Sequence, residues 1–333
     1  MELTTVADDE AVIHDGLDVR RYEGLEPDHV YEVDGFIFRT LPRPAGELLS
    51  RFATVNDVHF GETECGVIEG LEMGPIFTAD EGSEPYPELM NRAAIAEIEQ
   101  IDPDAVVVKG DLTSKGTVSE FETFLSFYEP AFGARLHYVR GNHDSYYGAT
   151  FASDAPFAVS LPGVTLAVID TSIPEHYAGR VTGETLTWLR DLASSTHGPV
   201  LVFGHHHCWN PESKSRPENY FGINPDDSER LVEVFAAHRN LRGYFAGHTH
   251  RNRVRRFGLT GEVPFVEVAC VKDFPGSWAE YRVFETGILQ IHRRISTPDA
   301  LTWTDKTRGM YAGTYFDYAF GDLSDRCFGI PTI

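Results

Sequence analysis

Cysteine is scarce in the 333-residue sequence: Cys65, Cys208, Cys270 and Cys327 are the only four, with no CxxC pair and no disulfide-like spacing. No disulfide framework is therefore expected. Long apolar runs are missing too, so no stretch of about 18 residues is available to span a membrane. Positive charge is outweighed: 28 basic residues stand against 51 acidic ones, a formal net charge of −23. An even shell of negative charge repels nucleic acid polymers and anionic lipid. A phosphate-bearing substrate must then be drawn in by a local positive source, and bound cations are the obvious one. The opening stretch, MELTTVADDEAVIHDG, is acidic and lacks the apolar segment of a secretory signal. With the unpaired cysteines, it makes a cytoplasmic location the expectation.

Apolar residues make up 42% of the chain, enough for a sizeable core. Short apolar runs predict strands at Phe52–Val55, Ala105–Val108, Leu136–Val139, Val164–Ile169, Val200–Phe203, Gly243–Ala246 and Pro264–Val268. Alternating runs at Tyr281–Phe284 and Ile288–Ile291 predict a hairpin around Thr286-Gly287. Helices fall between the strands. Pro87–Ile101 carries an apolar face, Thr117 and Glu120 form a capping box, and Trp188, Leu189 and Leu192 make a stripe after Thr182. Asn224-Pro225 reads as an N-cap with proline at the first helical position. Strand–helix alternation implies an α/β fold, and the antiparallel end implies a second sheet packed on the first.

Three segments fall outside this pattern. Residues 1–50 form an N-terminal extension with short β elements, ahead of a main body over 51–296. Residues 61–86 make a long loop placed like a substrate lid. Residues 297–333 read as a helical tail, packed on the body or used as a contact between copies.

Five clusters carry the chemistry. Asp57 and His59 follow the first run; in extended chain, residues two apart point the same way and can share one metal ion. Lys109-Gly110-Asp111 ends the second run, where the glycine permits a sharp turn and the carboxylate, with two oxygens, can bridge two ions. Arg140-Gly141-Asn142-His143-Asp144 ends the third. There Asn142 offers an amide oxygen, His143 can reach a bound phosphate as general acid, and Asp144 can orient it and raise its pKa. Gly204-His205-His206-His207 ends the fifth run, with His205 as ligand, His206 toward substrate and His207 as a structural hydrogen bonder. Gly247-His248-Thr249-His250 repeats the alternating pattern. A surface Asp-x-His or a turn-forming Gly-Asp is common by itself. All five clusters follow strand-like runs, which puts them at one sheet edge. The ligand types suit two hard-to-borderline divalent ions such as manganese, iron or zinc.

In this order the clusters resemble the calcineurin-like metallophosphoesterases, over the span Asp57–His250. The resemblance implies a four-layer sandwich of two mixed sheets flanked by helices. It implies one ion held by Asp57, His59, Asp111 and His250, a second held by Asp111, Asn142, His205 and His248, with Asp111 bridging. It also implies His143 as the acid near the leaving oxygen and Asp144 as its partner. Within the family, Pro103–Val108 running into Gly110-Asp111-Leu112, then Gly116-Thr117, and Gly183 ahead of Trp188, are similar to the cyclic nucleotide phosphodiesterase branch. The chain departs from the branch's HHPP with His205-His206-His207-Cys208, and Ser114 stands where purple acid phosphatases carry a tyrosine. The implied reaction is hydrolysis of a small phosphodiester, of cyclic nucleotide or glycerophosphodiester type, by a metal-bridging hydroxide. A phosphomonoesterase with the same metals is the alternative. A DNA nuclease fits the charge poorly, since Arg251, Arg253, Arg255 and Arg256 read as a solvated strand edge. A scaffold that has lost its chemistry would lack ligands that are present here.

Overall fold

The computed structural model describes residues 1–68, 70, 73–149 and 151–332. Two six-stranded sheets form its centre. The first runs, in spatial order, Arg253–Arg256, Pro264–Glu267, Leu241–Ala246, Val200–Phe203, Val164–Val168 and Phe157–Leu161. Its four inner strands are parallel and both edges antiparallel. The second runs Phe328–Pro331, Gly287–Arg294, Ser277–Phe284, Leu48–Val55, Ala105–Lys109 and Leu136–Val139. Its last three strands are parallel, the rest antiparallel.

Side-chain alternation explains the layering. Val106 and Val108 face one way, into a cluster with Met90, Ile98, Phe124 and Tyr128 of the helices Tyr86–Gln100 and Val118–Phe132. Ala105 and Val107 face the other way and meet Leu201, Phe203 and Phe245 of the first sheet. Val200 and Val202 then turn outward, onto Leu186, Leu189, Leu231 and Phe235 of the helices Gly183–Ser195 and Pro225–Ala237. Strands buried on both faces read as continuous apolar runs, which is how these sequences look. The result is the expected four layers, helix–sheet–sheet–helix. Thr117 and Asn224 cap their helices as predicted.

The flanking segments hold surprises. Residues 2–23 form a three-stranded antiparallel sheet, and Val30–Val33 pairs with Phe36–Arg39 across Asp34-Gly35. Arg282 donates from the second sheet to Asp8, Asp9 and Glu10, fastening the extension to the body. The C-terminal segment is not helical throughout: after Pro298–Thr307 and two shorter helices, Phe328–Pro331 joins the second sheet as its edge strand. An alternating Phe-Gly-Ile-Pro is too short to show this in sequence. In the 61–86 segment, Cys65 and Phe77 exchange backbone hydrogen bonds, and Ala312 donates to the Gly74 carbonyl. Its described part thus packs against the C-terminal segment, while residues 69, 71 and 72 lie outside the described residues. The arginine strand is also less solvated than expected, because Arg251 and Arg255 both reach the buried carboxylate of Glu267. All four cysteines are free and buried, and among the described residues no helix is long and apolar enough to cross a membrane.

Candidate metal centre

Five strands of the two sheets stop at one place: Val55, Lys109, Val139, Phe203 and Ala246 each lead into one of the five clusters. Backbone hydrogen bonds lace the first two turns together, with Asp57 donating to the Gly110 carbonyl and Val58 and His59 to the Asp111 carbonyl. Asp57, His59, Asp111, His248 and His250 all adopt left-handed backbone, with φ between 49° and 67°. The extended geometry expected for Asp57-x-His59 and His248-x-His250 is therefore not what pairs them. Left-handed Asp and His are tolerated better than most side chains but still cost about 1 kcal/mol or more each. Such strain persists where the surroundings over-determine it, and it concentrates at functional sites. Close approach is built in as well: a Cβ on Gly110 would sit 2.5 Å from the His205 ring, and one on Gly141 would sit 2.2 Å from Asp111 Oδ1.

Asp111 is the hub. Its Oδ2 lies 3.3 Å from His59 Nε2 and 3.3 Å from His205 Nε2. Its Oδ1 accepts the His143 amide N–H at 2.9 Å. On one side, Asp57 Oδ1 lies 3.3 Å from His250 Nε2, and Asp57 accepts the His248 amide. On the other, His205 Nε2 is 3.0 Å from Asn142 Oδ1, while its Nδ1 donates to the Lys109 carbonyl at 2.8 Å. His205, His206 and His248 each bring a ring nitrogen within 4.8 Å of the others'. The seven residues expected to hold metal are thus brought to one buried centre.

Electrostatics divides the imidazoles. Burial opposes charge on Asp57, but the adjacent His250 holds its carboxyl down at about 2. Burial likewise opposes a proton on His205, yet Asp111 raises it to about 9. His206 and His248 are pushed well below the usual histidine range by burial and by neighbouring imidazoles. Their Nε2 atoms are buried without a hydrogen-bond partner among the described residues. Buried polar atoms normally have partners, so orphaned imidazole nitrogens drawn together beside His205 fit a cation among them. Two carboxylates, one amide oxygen and several imidazoles form a donor set for hard-to-borderline divalent ions.

The expected contact between Asp144 and His143 needs correction. Asp144 does not touch the His143 ring. Its carboxylate accepts from the backbone N–H groups of Gly141, Leu112 and Thr113 and from the Thr113 hydroxyl, at 2.6–3.1 Å. It straps the third cluster to the second, because a short carboxylate one turn into the helix Asn142–Ser145 reaches backward to the cap, not sideways to its neighbour. The contact that orients His143 comes from the Ser114 carbonyl, 2.8 Å from its Nδ1. The His143 ring lies 4.5 Å from that of His59, and burial lowers its proton affinity. His206, expected to face substrate, is fully buried, with Nδ1 at 2.8 Å from the Thr171 hydroxyl. A ring nitrogen of His206 lies within 4.8 Å of those of His205 and His248. His207 is the structural group expected, bonded to the Tyr220 hydroxyl at 2.8 Å.

Fold and site together define a phosphoester hydrolase built around a divalent metal centre. The sequence profile of the calcineurin-like phosphoesterases matches residues 50–252, and the chain belongs to that family. A probable cyclic nucleotide phosphodiesterase from Synechococcus is 26% identical over 198 residues, covering 58% of this chain and 76% of that protein. A cAMP/cGMP dual specificity phosphodiesterase from Mycobacterium tuberculosis is 29% identical over 44% of this chain, and the match spans about half, 49%, of its length. A glycerophosphodiester phosphodiesterase from Enterobacter lignolyticus is 28% identical, with 44% and 56% covered. A dimetal phosphatase from Danio rerio shares the fold at a TM-score of 0.52 and 16% identity, over 74% of this chain and 97% of that one.

Proposed function

We propose that the protein hydrolyses a small phosphodiester, of cyclic nucleotide or glycerophosphodiester type, at two divalent ions. Asp57, His59, Asp111 and His250 would hold one ion, and Asp111, Asn142, His205 and His248 the other. The single observation that carries this is the position of the Asp111 carboxylate, approached at 3.3 Å by an imidazole from each sheet. The donor set suits manganese, iron or zinc. Bound there, the ions supply Lewis acidity toward phosphoryl oxygens and make water reactive near neutral pH.

The chain's own residues do the rest. The Ser114 carbonyl fixes the proton of His143 on Nδ1, so its Nε2 carries any proton passed to the departing oxygen. A ring nitrogen of His143 lies within 4.8 Å of ligand atoms of His59 and Asp111, close enough to serve a phosphoester seated on the centre. His206 is assigned to the second ion as a further nitrogen donor, in place of a substrate contact. On this reading residues 51–296 are the catalytic body, with 1–50 and 297–333 packed around it. The pairing of Arg251 and Arg255 with Glu267 leaves little basic surface for a DNA backbone, which favours a small substrate.

The test is hydrolysis of bis(p-nitrophenyl) phosphate beside p-nitrophenyl phosphate, with chelator-treated protein and then added manganese. Metal-restored activity that favours the diester is expected. Preference for the monoester would replace the proposal with a phosphomonoesterase.

A further inference from the structure

Three buried charged groups beside the centre take no part in the chemistry above. Glu62 lies at the start of the 61–86 segment, and its Oε2 forms an ion-pair contact with Nδ1 of His59 at 2.8 Å, outside hydrogen-bond geometry. Asp273 follows the strand Pro264–Glu267, and its Oδ2 accepts from Nδ1 of His250 at 3.2 Å. Lys272 stands between them. Its Nζ pairs with Oε1 of Glu62 and lies 3.7 Å from Oδ2 of Asp273. The side chains of Glu62, Lys272 and Asp273 are 12%, 6% and 2% exposed.

Each member is held by a further contact. Tyr86 donates its hydroxyl to Glu62 at 2.6 Å. Tyr315 donates to Asp273 at 2.6 Å, and the Cys270 thiol lies 2.9 Å from the same oxygen. The indole of Trp303 donates to the Lys272 carbonyl at 2.7 Å and stacks on Tyr86, with ring centroids 4.3 Å apart. Tyr86 closes the 61–86 segment, and Trp303 and Tyr315 belong to the C-terminal one.

Desolvating two carboxylates and one ammonium costs several kcal/mol per ion unless their geometry returns it. One lysine for two carboxylates leaves an excess negative charge, and both carboxylates aim at imidazoles whose far nitrogens face the centre. Nε2 of His59 is 3.3 Å from Asp111, and Nε2 of His250 is 3.3 Å from Asp57. A carboxylate on Nδ1–H fixes the tautomer, aims the ring and makes Nε2 a better donor to a cation. The imidazoles of the other side lack this backing: His205 leans on the Lys109 carbonyl and His206 on the Thr171 hydroxyl.

Resting on the metal-centre reading, we infer that Glu62, Lys272 and Asp273 form one positioning unit that sets the tautomer and aim of both His59 and His250. Tyr86, Trp303 and Tyr315 brace that unit, which gives the segments around the body a task at the centre.

The test uses the full chain stripped by chelator, with Co²⁺ alone as the probe. Its affinity is read by competition with a chromophoric chelator, and its ligand geometry by the visible spectrum. Failure of the unaltered protein to bind Co²⁺ would remove the metal-centre reading itself. Given binding, Glu62→Gln and Asp273→Asn should each weaken Co²⁺ by roughly 10–100-fold and alter the spectrum. Glu62→Asp should recover part of the loss. The double variant should lose less than the product of the singles, because both act through Lys272. A carboxamide variant that keeps affinity and spectrum while only its melting temperature falls would overturn the inference. If a carboxamide variant does not fold, Tyr86→Phe and Tyr315→Phe carry the test, each removing one hydroxyl from a carboxylate. Unchanged Co²⁺ spectra in both would overturn it equally.

Discussion

His59 and His205 come from opposite sheets and aim their Nε2 atoms at the same oxygen, Oδ2 of Asp111, each from 3.3 Å. One follows the strand Leu48–Val55 and the other the strand Val200–Phe203, so the packing of the two sheets sets the distance between them. A carboxylate at that seam can serve an ion on either side.

Asp111→Asn should therefore disturb both ions together. Loss of several kcal/mol of transition-state stabilisation corresponds to about a 10³-fold fall in kcat/KM. Metal analysis should show fewer than the unaltered protein's equivalents. Full metal content in the variant would contradict the bridging role.

Among the described residues, the His143 side chain meets the Ser114 carbonyl through Nδ1 and the rings of His59 and Tyr146, with a ring nitrogen within 4.8 Å of Asp111. His143→Ala should lower kcat by roughly 10²–10⁴-fold while metal content stays the same. A substrate with a better leaving group should lose less, because it needs less protonation. An equal loss for good and poor leaving groups would argue against an acid at this position.

Asp144 is expected to matter through folding. Its removal leaves buried N–H groups of Gly141, Leu112 and Thr113 unsatisfied, at about 1–3 kcal/mol for each group. Asp144→Ala should lower the urea midpoint strongly, and Asp144→Asn, which keeps one acceptor oxygen, less so. The pH–rate profile of Asp144→Asn should keep its shape. A shifted profile would restore a direct link between Asp144 and His143.

His14 offers a pH test away from the centre. Burial, with Arg294 and Arg21 nearby, lowers its pKa from 6.5 to about 3. Between those values the unfolded chain binds more protons than the folded one, so stability rises with pH across that window. The contribution is complete above about 6.5 and is lost as pH falls toward about 3. His14→Gln, which keeps partners for the Thr4 and Ser296 hydroxyls, should show a smaller loss of stability between about pH 7 and about pH 4.5 in urea titrations. An equal loss in both proteins would refute it.

Much of the body was legible because strands buried on both faces must be apolar throughout. Val106–Val108 and Val200–Phe203 announce themselves that way. The edge strands Phe157–Leu161 and Phe328–Pro331 carry half-exposed or short patterns and do not. The hairpin at Asp34-Gly35, where both residues take positive φ, lies in the segment read only as short β elements.

By itself, the sequence determined which residue types end each buried strand, because ligand chemistry demands Asp, Asn and His next to glycines that permit close approach. Tertiary structure alone decided what those residues face. Asp144 adjoins His143 in the chain, yet backbone N–H groups from the second cluster claim its carboxylate. Glu62 and Asp273 gave no signal in sequence, lying far apart and outside every motif, and become visible only as partners of His59 and His250. The reason is physical. A side chain's chemistry is fixed by its type, whereas its tautomer, aim and electrostatic setting are fixed by groups that reach it through space.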